Sequence, residues 1–142
     1  MTSDQFERGL RCRKEVLGEA YVDASLNKSD DFNRDFQTMV TEYCWGGTWG
    51  RGVLSKRDRS LLNLAMLAAL NRQQEFKLHF KGALTNGLSL AELREVLIQI
   101  AVYCGIPAGV EAFRVARGVL DEEGIDTSDI PEPDFLAAAG DD

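Results

Sequence analysis

Ser55-Lys-Arg-Asp58-Arg-Ser-Leu61-Leu-Asn63-Leu-Ala-Met-Leu-Ala-Ala-Leu70, followed by Gln73-Gln-Glu75-Phe-Lys-Leu-His79-Phe-Lys-Gly-Ala-Leu-Thr-Asn86-Gly87, reads as two helices joined at Asn71-Arg72. Ser55, three residues before Asp58, has the form of a capping box that opens the first helix. From Leu61 to Leu70 only Asn63 interrupts the apolar residues, so this helix is predicted to be buried all round at the centre of the domain. Asn71 is predicted to cap the second helix, and Asn86-Gly87 gives it a left-handed stop. The hairpin Arg57–Leu70 and Gln73–Asn86 is therefore the predicted core.

Working outward, helical periodicity continues and strand signals are nearly absent. Asp4 to Glu19 is amphipathic through Phe6, Leu10, Val16 and Leu17. Asp31 to Cys44 repeats the pattern through Phe32, Phe36, Met39, Val40 and Tyr43. Trp45-Gly-Gly-Thr-Trp49-Gly-Arg51-Gly52 holds four glycines in eight residues, a composition that predicts a mobile turn rather than helix interior. Ser89-Leu-Ala-Glu92 is a second capping box; Leu90, Leu93, Leu97, Ile100 and Cys104 form a packing stripe behind it, with Cys104 a buried small hydrophobe. Pro107 suits the first turn of a last helix running to about Glu122 through Val110, Phe113 and Leu120. The prediction is an all-α single domain of about six or seven helices over residues 1–123. An acidic tail, 124–142, would hang loose or strap a neighbouring subunit.

One domain is what 142 residues allow. With 16 basic against 23 acidic residues, a net charge of −7 argues against a nucleic-acid-binding surface, which needs a basic stripe. A few pocket arginines still suffice for a small anionic substrate. Cys12, Cys44 and Cys104 form no CxxC pair, so neither a zinc knuckle nor a dithiol motif is available. The polar N-terminus lacks a signal-peptide pattern, and the Leu61–Leu70 run is too short to span a bilayer. The expectation is a cytoplasmic protein with reduced thiols, no membrane contact and no metal.

His79, the only histidine, follows Glu75 by four residues, which places carboxylate and imidazole on one helix face. Histidine exchanges protons near neutrality, so the pair is the best catalytic candidate; such pairs are also common as solvated surface contacts. Phe76, Phe80, Ala83 and Leu84 form the adjoining apolar stripe, and Gly82 leaves room for a ligand. Trp45, Trp49 and Arg51 from the glycine-rich segment, with Arg57 and Arg59 from the next helix, suit closure over an anionic ring. The tryptophans equally suit core or interface anchors.

Arg8-Gly9, Arg13-Lys-Glu-Val-Leu-Gly18, Tyr43-Cys-Trp-Gly46, Trp49-Gly-Arg51, Arg57-Asp-Arg-Ser-Leu61, Leu78-His79, Ala83-Leu-Thr-Asn-Gly87 and Tyr103-Cys-Gly-Ile-Pro-Ala108 occur in an order and spacing that together resemble the carboxymuconolactone decarboxylase family. The resemblance runs from about Phe6 to Leu120 and implies an alkylhydroperoxidase D-like fold. Redox members of that fold carry CxxCxxxH. Here Arg72 and Glu75 occupy the two cysteine positions and His79 the histidine, so a peroxidatic dithiol is ruled out. The resemblance further implies a homo-oligomer, usually a hexamer, that uses no cofactor. It implies decarboxylation of 4-carboxymuconolactone in protocatechuate catabolism, with His79, Glu75 and Arg51 catalytic and Arg59, Trp45 and Trp49 binding substrate. Other readings are an enzyme of this fold acting on another lactone or keto acid, or a non-catalytic helical ligand-binding module.

Overall fold

Ser3 opens the first helix: its hydroxyl accepts from the Phe6 amide at 3.0 Å, satisfying a first-turn donor that has no partner within the helix. The computed structural model describes residues 2–135. Along them run α1 (Asp4–Leu17), α2 (Glu19–Asn27), α3 (Arg34–Met39), a π-helix (Val40–Trp49), α4 (Lys56–Ala69), α5 (Gln73–Thr85), α6 (Leu90–Cys104) and α7 (Ile106–Glu122). No strand occurs among the described residues. The all-α expectation holds, though α2, which begins after Gly18 turns the chain at φ 93°, had no clear apolar period to announce it.

Two packed clusters meet at α5. Phe76, Phe80 and Ala83 join Leu64 of α4, Leu93 and Leu97 of α6 and the inner face of α7. On the other side Leu78 packs against Val16, Val22, Trp45 and Trp49. The predicted hairpin is thus central, and α5 belongs to both clusters. Ser89 and Glu92 form the expected reciprocal capping box, and Pro107 sits in the first turn of α7.

The glycine-rich segment is not a mobile turn. Its first five residues, 45 to 49, lie inside the π-helix, and Trp45 and Trp49 are 3% and 5% exposed. The glycines there serve close approach instead of flexibility. A methyl on Gly9 would lie 1.9 Å from the Thr41 carbonyl oxygen, and one on Gly46 would lie 2.2 Å from that of Gln5. Backbone meets backbone across α1 and the π-helix, so helix propensity yields to packing. Arg13, 6% exposed, bolts the same pair by donating to Thr41 Oγ1 at 3.2 Å and Gln37 Oε1 at 3.1 Å.

Other expectations are corrected. Asn71 does not cap α5; it adopts φ 58° and ends α4, while Arg72 takes the cap position. Asparagine tolerates this left-handed geometry better than most side chains. Nor is α4 buried all round: Ser60 and Leu64 are buried, but Leu62, Met66 and Leu70 are exposed because no described element covers that side. Phe32, Phe36, Met39 and Tyr43, predicted contacts, also face outward, Phe32 at 98%. Val110, Phe113 and Cys104 are exposed as well.

Residues 124–135 run back over their own chain. Ile125 packs on the main core, Arg117 Nη1 donates to Thr127 Oγ1 at 3.1 Å, and Arg94 Nη2 to the Pro131 carbonyl at 2.6 Å. The rest of the acidic tail, 136–142, lies outside the described residues. No helix among the described residues is long and apolar enough to cross a membrane.

Candidate active site

His79 projects from the middle of α5 into the cluster built by α1 and the π-helix. Trp45 and Trp49 are four residues apart on the π-helix and both turn inward, their ring centroids 4.9 Å apart. The imidazole lies 6.0 Å from each indole, its plane 4° from that of Trp45 and 25° from that of Trp49. The two indoles stack on each other, and the imidazole lies beside the pair at the same distance from both. The sequence nominated all three residues, and the fold brings them together.

Burial is the dominant influence on His79 and lowers its pKa from 6.5 to about 4, overriding the opposing pull of the Glu75 carboxylate. The ring is accordingly neutral at neutral pH. Its Nδ1 lies 3.5 Å from Nδ2 of Asn63, the single polar residue in the apolar stretch of α4. No hydrogen bond joins Glu75 to His79 among the described residues. Glu75 is exposed and borders a different cleft, with Tyr21, Lys77 and Lys81.

Arg51 follows the π-helix and is exposed. It lines a cleft of about 400 Å³ with Arg8, Arg11, Lys56 and Trp49. Trp49 therefore touches both places: it lies beside His79 and it lines this cleft, where Arg8, Arg11 and Arg51 leave a basic excess after Glu15 pairs with Lys56. Arg8 donates from Nε to the Gly46 carbonyl at 3.0 Å, which fixes one guanidinium against the π-helix. Arg59, on α4 one turn before Asn63, has its Nε buried without a hydrogen-bond partner. Arg57 is drawn off to an ion pair with Glu92 of α6. Gly82 leaves no room for a ligand, since a methyl there would lie 3.0 Å from Val16 Cγ1.

Asn63, Arg8 and Arg11 were given no role at the site from sequence. Asn63 carried a signal, as the lone polar residue in an apolar run; Arg8 and Arg11 looked like the solvated face of an amphipathic helix. No group of three or more His, Cys, Asp or Glu that could hold a metal ion occurs among the described residues.

Comparison with known proteins gives this geometry a family. Residues 34–118 match the model of the carboxymuconolactone decarboxylase family. A 4-carboxymuconolactone decarboxylase of Acinetobacter baylyi is 38% identical over 121 residues, 85% of this chain and 90% of that protein. A nitrosuccinic acid decarboxylase of Metarhizium robertsii is also 38% identical, over 82% of each chain. A 4-carboxymuconolactone decarboxylase of Pseudomonas putida is 43% identical over 42 residues, 30% of this chain and 88% of that one. The chain belongs to the carboxymuconolactone decarboxylase family and is a decarboxylase.

Proposed function

We propose that the chain decarboxylates 4-carboxymuconolactone to 3-oxoadipate enol-lactone and CO₂, without a cofactor, in protocatechuate breakdown, with His79 as the proton donor. The observation that carries this reading is the half-buried imidazole packed beside two stacked indoles, its proton affinity lowered by burial, with a basic cleft lined by Trp49 next to them. A water-poor site favours loss of a carboxylate, because the localised charge of the reactant becomes neutral CO₂ and a dispersed anion. As the C–C bond breaks, its electron pair moves through the lactone ring onto the carbonyl oxygen. The substrate is its own electron sink. The protein holds the second carboxylate, meets the oxyanion and returns a proton to carbon.

A neutral imidazole is a poor acid. Two substrate carboxylates nearby favour its protonated form, so the proton is taken from solvent as substrate binds and then passed to carbon. Glu75 assists through its charge. Arg51, with Arg8 and Arg11 beside it, binds the acetate arm, and Arg59 meets the oxyanion. Trp45 and Trp49 keep water from the ring.

The Metarhizium relative supports a second substrate reading. Nitrosuccinic acid, the acid in that relative's name, resembles the lactone in having a carbon that carries a carboxylate, an electron sink and a carboxymethyl arm. Another acid of this pattern would use the same residues. The experiment is turnover by purified, chelator-treated protein of each acid separately, with CO₂ and the organic product followed. Conversion of the lactone supports the assignment; conversion of nitrosuccinate alone transfers it; no conversion of the lactone by folded protein overturns it.

We also propose a homo-oligomer, a hexamer by family resemblance, in the cytoplasm. Exposed Leu62, Met66 and Leu70 on α4, with Phe36 and Met39 on α3, support burial against further copies. Light scattering of the purified protein reads the assembly mass directly, and a monomer would end this part of the proposal.

A further inference from the structure

We propose that Asn63 is the positioning residue of His79: its amide donates to Nδ1 and so holds the neutral ring with its hydrogen on Nε2. The contact is 3.5 Å, a length common at catalytic pairs before a ligand tightens them. The indoles cover the imidazole from the π-helix, with the plane of Trp45 nearly parallel to it. What remains to be decided is which edge carries the hydrogen. A neutral imidazole has one donor and one acceptor nitrogen, and an amide N–H₂ facing Nδ1 selects the acceptor there.

The groups packed around the ring leave this choice to Asn63. Trp45 and Trp49 of the π-helix carry no charge, and α4 contributes the amide. On α5 the carboxylate of Glu75 lies one turn away and acts only through its charge. An asparagine also suits a ring that changes state. With Nδ2 toward the ring the amide matches the neutral imidazole, and only once substrate has protonated Nδ1 would it turn over to offer Oδ1. Leucine can meet neither state, and aspartate favours a hydrogen on Nδ1.

This inference deepens the proton-donor reading and rests on it for its catalytic meaning, yet the first test needs no substrate. His79 is the sole histidine, so protein labelled with ¹⁵N in its imidazole gives one pair of ring-nitrogen signals. Near neutral pH the wild type is expected to show a protonated Nε2 and a lone-pair Nδ1. Asn63→Leu is expected to give a mixture of tautomers, and Asn63→Asp to move the hydrogen to Nδ1 and raise the pH at which the ring titrates. The two replacements differ in polarity, so one remains readable if the other fails to fold. A hydrogen on Nδ1 in the wild type, or ring signals unchanged in the folded variants, would overturn the proposal. Turnover measured alongside separates the two readings: kcat is expected to fall about tenfold or more in Asn63→Leu with KM little changed. Wild-type protein that fails to turn over the lactone would sink that substrate while the ring spectra still decide the tautomer.

Discussion

The indole of Trp45 lies within 4° of parallel to the imidazole of His79, with ring centroids 6.0 Å apart. The π-helix delivers the first ring and α5 the second, so proton affinity at His79 depends on how tightly these two elements pack. Trp45→Ala is expected to cost about 3–5 kcal/mol of stability, the range for deleting a buried large aromatic. In the folded fraction the His79 pKa is expected to rise from about 4 towards 6.5 as water enters. An NMR titration of the single histidine checks this, and a pKa that stays near 4 would show that the indole is not what desolvates the ring.

His79 also predicts a pH dependence of folding. Its imidazole takes up a proton near 6.5 when unfolded and at about 4 when folded. Between those values the unfolded chain holds more protons, so stability rises with pH across the window and is lost as pH falls through it. The upper bound of this contribution is about 3 kcal/mol. Carboxylates titrate in the lower part of the same window, so the comparison that isolates the effect is with His79→Gln. Urea denaturation from pH 4 to pH 7 should show a steeper loss on acidification in wild type than in that variant. Parallel curves would mean that the ring is not desolvated.

Much of this could be read from the residues themselves. Ser55, Ser89, Pro107 and Gly87 punctuate helices through local chemistry, and local chemistry is what sequence displays. Gly46 misled for a physical reason: its meaning lies in the distance between two backbones far apart in sequence. Leu62 and Met66 misled differently, because an apolar residue announces that it will be covered without saying by which chain. At the site, His79 and the tryptophans stood out by type. The spacing of Glu75 was helical as read, but spacing does not reveal that the carboxylate faces another cleft. Asn63 was visible as an anomaly without a partner to explain it.

The close approach of α1 to the π-helix gives a third expectation. A methyl on Gly9 would meet the Thr41 carbonyl at 1.9 Å, and its next neighbour is the Gly46 amide nitrogen at 2.7 Å. Both are backbone atoms, which cannot rotate away. Gly9→Ala is therefore expected to destabilise despite alanine's better helix propensity, a preference worth only about 1 kcal/mol. Overpacking typically costs about 1–3 kcal/mol, and a clash with main chain belongs at or above the top of that range. Thermal melts compared with Gly118→Ala, where a methyl would meet nothing within 4 Å, separate propensity from clash. Equal melting temperatures would show that the two helices can separate freely.

Arg51 and Glu75 open onto different clefts, so their substitutions should fail in different ways. Arg51 shares its cleft with Arg8 and Arg11, and Trp49 both lines that cleft and lies beside His79. Arg51→Gln is expected to raise KM for a dicarboxylate about tenfold while the His79 pKa stays put, as loss of a charge-assisted hydrogen bond of about 1.5 kcal/mol predicts. Glu75→Gln removes the charge that raises the proton affinity of His79, so the ring should titrate below its wild-type value. Its effect belongs in kcat, and should grow as pH rises because the protonated imidazole becomes scarcer. Steady-state kinetics at several pH values, paired with the histidine titration, tests both. If Arg51→Gln shifted the His79 pKa, or Glu75→Gln changed only KM, the assignment of these two residues to separate clefts would not describe how this site works.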